Sequence, residues 1–229
     1  MPADLPFRVA ACLIKPVRDK LYHYFRPAHS GGMDEVMNNH MRVYRMVVAA
    51  LLCAIGIVIP MFSPLKIILE PMSFTLASHV AIMVAMFISP TVAISVSLGT
   101  TLGFFLGGFP LVVVLRALSQ VIFVVIGALW LKKHPYTLAS VGSNIAFNCV
   151  IALIHALGEI VVVMYFYFGN LLPESNYTKG FAVTVLLLVG VGTFVHSTVD
   201  FYISVLLWKA LGRSHYVSEL FTAKVKKPA

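Results

Sequence analysis

Charge, and acid above all, is scarce in this sequence. Asp and Glu number 9 in 229 residues, and the charged types together make up 11%, under half the roughly 25% of a soluble domain. Such a chain is not expected to fold as a soluble globule. Cysteine is also sparse: Cys12, Cys53 and Cys149 show no C-x-x-C spacing and two lie in apolar runs, which argues against a disulfide or a metal role. The motif G-x-x-x-x-G-K-[ST] is missing, which excludes ATP hydrolysis by a P-loop in this chain; H-E-x-x-H and G-x-S-x-G are missing too, which removes the metalloprotease and serine-hydrolase templates. No secretory signal pattern precedes the first long apolar run, so that run is expected in the mature protein.

What is present is hydrophobic length. Apolar residues make up 59% of the chain, against roughly 45–50% in ordinary domains, and they come as long runs rather than the short alternating segments of a membrane barrel. The reading is an all-α membrane protein with six transmembrane helices in one bundle, at about 43–62, 74–90, 91–109, 110–131, 137–168 and 180–211. Ser89-Pro90 and Gly107-Gly108-Phe109-Pro110 mark tight turns between neighbouring spans. The net charge of +8 sits at the ends and in one loop: Arg42, Arg45, Lys132, Lys133 and the stretch from Arg213. That distribution predicts an N-in/C-in topology rather than nucleic-acid binding. The domain reading is a basic extension over 1–40, weakly ordered or lying on the inner leaflet, a six-helix domain over 41–213, and a basic cytoplasmic tail over 214–229.

Two groups of residues stand out inside the spans. Ser95, Gly99, Gly103 and Gly107 form a four-residue small ladder expected to pack helices closely, and Ala50 and Ala54 repeat that spacing in the first span, where a neighbouring helix or another protein could meet them. Arg116 and Gln120, His155 and Glu159, and His196 and Asp200 are three pairs four residues apart, each on one helix face. Asn144 and Asn148 extend the His155 stripe, and His79 lies near the start of the second span. By depth, His79, Arg116, Gln120 and Glu159 fall in the outer half, His155 and His196 near the middle, and Asp200 toward the cytoplasm. Ionisable groups inside a membrane point to function. The outer cluster reads either as a sealed ion pair or as a pocket for a small polar solute, and the pocket is preferred. His196 and Asp200 read as a structural pair or a relay. An intramembrane enzyme is the alternative, but the paired glutamates and downstream Arg of a membrane-embedded glutamate protease are missing. Six spans without two inverted halves are few for a self-sufficient transporter.

The stretch "EPMSFTLASHVAIMVAMFISPTVAISVSLGTTLGFFLGGFPLVVVLRALSQ", residues 70–120, together with Ala50-x-x-x-Ala54, resembles the substrate-binding S component of an energy-coupling factor (ECF) vitamin transporter, most closely the niacin type. The likeness covers about 42–211. It implies high-affinity capture of a water-soluble vitamin outside the cell: niacin first, cobalamin or pantothenate as alternatives. It further implies import driven by ATP on two cytoplasmic ATPases, reached through a membrane coupling protein that docks on Ala50 and Ala54. This chain would bind no cofactor or metal itself. His79, Arg116, Gln120, His155 and Glu159 are the expected substrate contacts, with the Arg116 guanidinium gripping a carboxylate. A stand-alone facilitator is the alternative within transport.

Overall fold

A computed structural model describes residues 30–69, 72–213 and 215–224. The chain divides into two units, Met1–Tyr44 and Arg45–Ala229. Of the first unit, only the helical residues from Ser30 are described, so most of the basic extension read over 1–40 lies outside the described residues, as does the end of the tail.

The elements are α1 (Ser30–Phe62), β1 (Lys66–Leu69), β2 (Met72–Thr75), α2 (Val80–Ile88), α3 (Pro90–Leu106), α4 (Leu111–Lys133), α5 (Val141–Phe168) and α6 (Ala182–Leu211). The first ten residues of α6, Ala182–Val191, are wound as π-helix, a rare form usually confined to one turn near functional sites. Single helical turns at Ser175–Thr178 and His215–Ser218 flank α6. Among the described residues, four helices are long and apolar enough to cross a membrane, at Asn39–Phe62, Leu111–Lys133, Val141–Phe168 and Ala182–Leu211, and α3 is shorter. Their outward faces are apolar, with Leu51, Leu102, Ile122, Val161 and Leu206 exposed. That is the pattern of helices solvated by lipid.

The second expected span needs correction. Residues 72–75 are not helical but form the second strand of an antiparallel hairpin, with Lys66 opposite Thr75 and Leu69 opposite Met72. The helix that follows has nine residues, about 14 Å of rise, half the roughly 30 Å hydrocarbon layer. All nine of its residues are buried. A helix that is apolar on every side finds its partners inside the bundle rather than in lipid, and α2 is the central post of this one.

Both ends of α2 are finished by chain that is distant in sequence. At its start, His79 supplies no side-chain cap. Instead the Asp200 carboxylate of α6 accepts from the backbone N–H of Ala77 at 2.8 Å and of His79 at 2.9 Å, which satisfies orphan donors and places a negative charge at the helix N-terminus. Ala77 has a φ of 66°, a left-handed conformation costly for a residue with a Cβ. At the other end, the carbonyl of Ile88 accepts from the Thr222 amide at 3.1 Å and hydroxyl at 2.6 Å, and that of Phe87 from the Ala223 amide at 3.1 Å. Leu220, Phe221 and Ala223 are buried, and Trp208 donates its indole N–H to the Ala223 carbonyl at 3.2 Å. The described part of the basic tail is therefore packed against helix ends. Phe87, Phe201 and Trp208 meet edge to face between α2 and α6.

The turn from α2 to α3 uses Ser89, whose hydroxyl accepts from the Val92 amide at 3.2 Å ahead of Pro90 in the first helical turn. That arrangement stops one helix and starts the next. Gly108, at φ 73°, makes the turn into α4, a conformation glycine adopts without penalty.

Candidate functional site

The site is built where the turn before α2 meets α4, α5 and α6. Its side chains come forward at helical spacing. Arg116 and Gln120 project from α4, and His155 and Glu159 from α5. From α6 come Thr193, Ser197 and Asp200, a stripe at four- and three-residue steps, with His196 beside it. The turn 76–79 adds Ser78 and His79.

These groups form one connected cluster. Arg116 Nη2 donates to Glu159 Oε2 at 2.8 Å, the Thr193 hydroxyl donates to the same oxygen at 2.6 Å, and His155 Nε2 stands 3.4 Å from Glu159 Oε1. His155 Nδ1 meets the Ser197 hydroxyl at 3.1 Å. His79 links the two halves. Its Nε2 is 3.0 Å from Gln120 Nε2, and its Nδ1 is 3.2 Å from both Asp200 Oδ2 and the Ser78 hydroxyl. The Ser78 hydroxyl is also 3.0 Å from His196 Nε2, which lies 3.4 Å from Asp200 Oδ2. The His79 ring packs edge-on against those of His155 and His196, with centroids 4.8 and 4.9 Å apart. Phe123 covers His155 and Phe74 covers His196.

Arg116 and Glu159 are buried at 8% and 2% exposure, a setting in which an ion pair must be closely matched to offset the loss of water. The pair also borders a cavity of about 70 Å³, lined on its polar side by Thr75, Ser78, His79, Gln120 and Thr100 and on its apolar side by Phe104, Phe109 and Val113. Phe104 and Phe109 stack with centroids 4.7 Å apart. The sealed pair and the pocket, alternatives in the sequence, are present together.

All five expected substrate contacts, His79, Arg116, Gln120, His155 and Glu159, come together here. Asp200, which depth along its span placed toward the cytoplasm, belongs to the same cluster, because the chain before α2 reaches down to its level. His196 is likewise part of it. Ser78, Thr193 and Ser197 went unread in the sequence, although the buried stripe Thr193, Ser197, Asp200 and Ser204 in an apolar helix is a heptad-spaced polar signal. Asn144 and Asn148 are buried farther along α5, Asn148 reaching Thr198 at 3.4 Å. Among the described residues, two triads could hold a metal ion: His79, His155 and Glu159, and His79, His196 and Asp200.

The small residues divide by face. A Cβ on Gly99 or Gly103 would sit 2.6 Å from Cys53 Sγ or 2.2 Å from Ile57 Cδ1, so α3 presses its glycines on α1. Ser95 is exposed, with its carbonyl facing the Cys53 thiol at 3.7 Å. Gly107 caps α3 and does not face α1; a Cβ there would meet its own turn, 3.0 Å from the Gly103 carbonyl. Ala50 and Ala54 are exposed on the outer side of α1.

A helical bundle that is apolar outside and holds a charged, partly hollow cluster inside defines a multi-pass membrane protein built around a buried polar site. The chain is 38% identical over 180 residues to the niacin transporter NiaX of Lactococcus lactis subsp. cremoris (strain MG1363), covering 79% of this chain and 77% of that protein. It belongs to the family of that transporter, the niacin-type S components of ECF transporters, and is a multi-pass protein of the bacterial plasma membrane. No family model and no solved structure matches it.

Proposed function

We propose that this chain binds niacin in the cavity beside Arg116 and passes it inward as the S component of an ECF transporter, with ATP hydrolysed by partner ATPases and none by this chain. The likeness to a niacin transporter supports the ligand. The observation that carries the reading is the cavity itself, which sets a guanidinium, an imidazole and an amide beside the stacked rings of Phe104 and Phe109. Nicotinate is a flat aromatic ring with one carboxylate and one ring nitrogen. Arg116 matches the carboxylate, because its five N–H donors form a fork that can serve Glu159 and a second anion. The Gln120 amide, which also lines the cavity, supplies a donor for the ring nitrogen, and the phenyl rings flank the pyridine. The volume, about 70 Å³, is far below the roughly 300–1,000 Å³ of a drug-sized ligand's pocket. That favours a single small ring over a corrinoid.

The six-helix, N-in/C-in arrangement belongs to the same proposal. The turn and hairpin before α2 would complete the crossing that its nine residues begin, while its buried position spares it from facing lipid. The outward Ala50 and Ala54 would contact the coupling protein.

The test is calorimetric titration of the detergent-purified chain with nicotinic acid. Arg116→Ala should weaken binding by more than about 100-fold, the scale expected when a charged hydrogen bond of roughly 3 kcal/mol is lost. Nicotinamide, lacking the carboxylate, should bind the native chain poorly. Equal affinity for both ligands, or an unchanged affinity in the variant, would remove Arg116 from the site.

A further inference from the structure

We propose that Ser78, His79, His196 and Asp200 form a site for a single divalent transition cation of the zinc type, at the edge of the niacin cavity. Zinc takes neutral imidazole nitrogens and carboxylate oxygens at about 2.0–2.2 Å, four to a tetrahedron. The edges of such a tetrahedron are about 3.3–3.6 Å, from the same bond lengths. Four of the separations around this point are 3.2 Å (His79 Nδ1 to Asp200 Oδ2), 3.4 Å (His196 Nε2 to Asp200 Oδ2), 3.0 Å (Ser78 Oγ to His196 Nε2) and 3.2 Å (Ser78 Oγ to His79 Nδ1). Along these four edges a cation would enter with shifts of a few tenths of an ångström, and the ligand atoms of His79, His196 and Asp200 all lie within 4.8 Å of one another. Two imidazoles and one carboxylate form a recognised donor set for such ions, with the hydroxyl, a water or a ligand group as fourth partner.

The surroundings also fit. Metal-bound imidazoles and carboxylates are held by further hydrogen bonds. The second oxygen of Asp200 takes the Ala77 amide at 2.8 Å, and the second nitrogen of His79 faces the Gln120 amide at 3.0 Å. Turning that amide over presents its oxygen to the Nε2–H that a His79 coordinating through Nδ1 must carry. An entry path exists as well, since Ser78 and His79 line the cavity.

Charge supplies the reason for a cation. With its imidazoles neutral, the cluster holds one guanidinium against the carboxylates of Glu159 and Asp200, so it is negative by one unit before an anion arrives. Adding nicotinate would double that in a buried site, whereas a divalent cation brings the loaded site to neutrality. This part rests on the proposed niacin function; the coordination geometry does not.

The test uses full-length chain purified without a polyhistidine tag and stripped of metal, in the absence of niacin. Titration with Zn2+ should show one ion per chain, and Co2+ should give the visible absorption of a four-coordinate centre. His196→Ala and His196→Gln should each weaken uptake by more than about 100-fold, beyond the roughly 10–100-fold that loss of a supporting residue such as Gln120 brings. The Gln variant keeps a hydrogen-bonding group for Ser78, and both should remain monodisperse. Failure of the native chain to take up one ion, uptake by both His196 variants as tight as by the native chain, or loss in His155→Gln with retention in His196→Ala would overturn the assignment. Nicotinic acid titrated with and without Zn2+ then tests the charge argument separately, because native metal uptake without any niacin binding would refute the niacin reading and leave the metal site standing.

Discussion

Asp200 shows how much one buried acid can organise. It is fully buried, accepts two backbone N–H groups ahead of α2 and faces the imidazoles of His79 and His196. Truncating it strands those donors in an apolar interior, at about 1–3 kcal/mol for each group left unsatisfied. Asp200→Ala should therefore unfold in detergent at a markedly lower temperature, by about 2–4 kcal/mol of stability, and Asp200→Asn should lose less because its amide keeps one acceptor. A variant Asp200→Ala as heat-stable as the native chain would show that the turn at 76–79 stands by itself. The pairs Arg116/Gln120, His155/Glu159 and His196/Asp200 were legible because helical spacing alone puts their members on one face. Their union was not. His79 and Asp200 are 121 residues apart, and hydropathy carries no record of which helix neighbours which.

Elements were legible where length and composition agreed. The turns at 89–90 and 107–110 and the long helices α4, α5 and α6 lie within a few residues of their expected limits. The second span differs because a window of about 20 residues averages the wholly apolar α2 with the mixed stretch 72–79, where Ser73, Thr75, Ser78 and His79 alternate with apolar neighbours; strand pairing separates hairpin from helix, and it is a tertiary matter. The interface of α1 and α3 depends on three glycines, Gly56 of α1 against Thr100 and Gly99 and Gly103 of α3 against Cys53 and Ile57. A Cβ at Gly103 would lie 2.2 Å from the tip of Ile57, so Gly103→Ala should cost about 1–3 kcal/mol through overpacking. Adding Ile57→Ala should recover much of it, a coupling that a double-mutant cycle of thermal midpoints reads directly. On the adjoining exposed face of α1, Ala54→Trp should fold normally and still bind nicotinic acid, yet fail to co-purify with a coupling protein and its ATPases. Intact co-purification would place the docking surface elsewhere.

For the molecule as a whole, the two ends of α2 are secured by the same stretch of chain. Asp200 holds the first turn, and Thr222 and Ala223 hold the last carbonyls. Phe221 anchors this return at 3% exposure. Phe221→Ala should cost about 3–5 kcal/mol and shift Trp208 fluorescence toward that of a wetter indole, because Trp208 donates to the Ala223 carbonyl just beyond it. An unaltered emission spectrum with native stability would show that the return segment only rests on the bundle.

A post clamped top and bottom by one strap is expected to travel with that strap as a single body. The parts expected to swing when a guest is admitted are then the barely embedded α1 and the turn at Gly108. A covalent staple joining α2 to α6 should consequently leave the rates of capture and discharge untouched, whereas one fastening α1 to α3 should freeze the doorway.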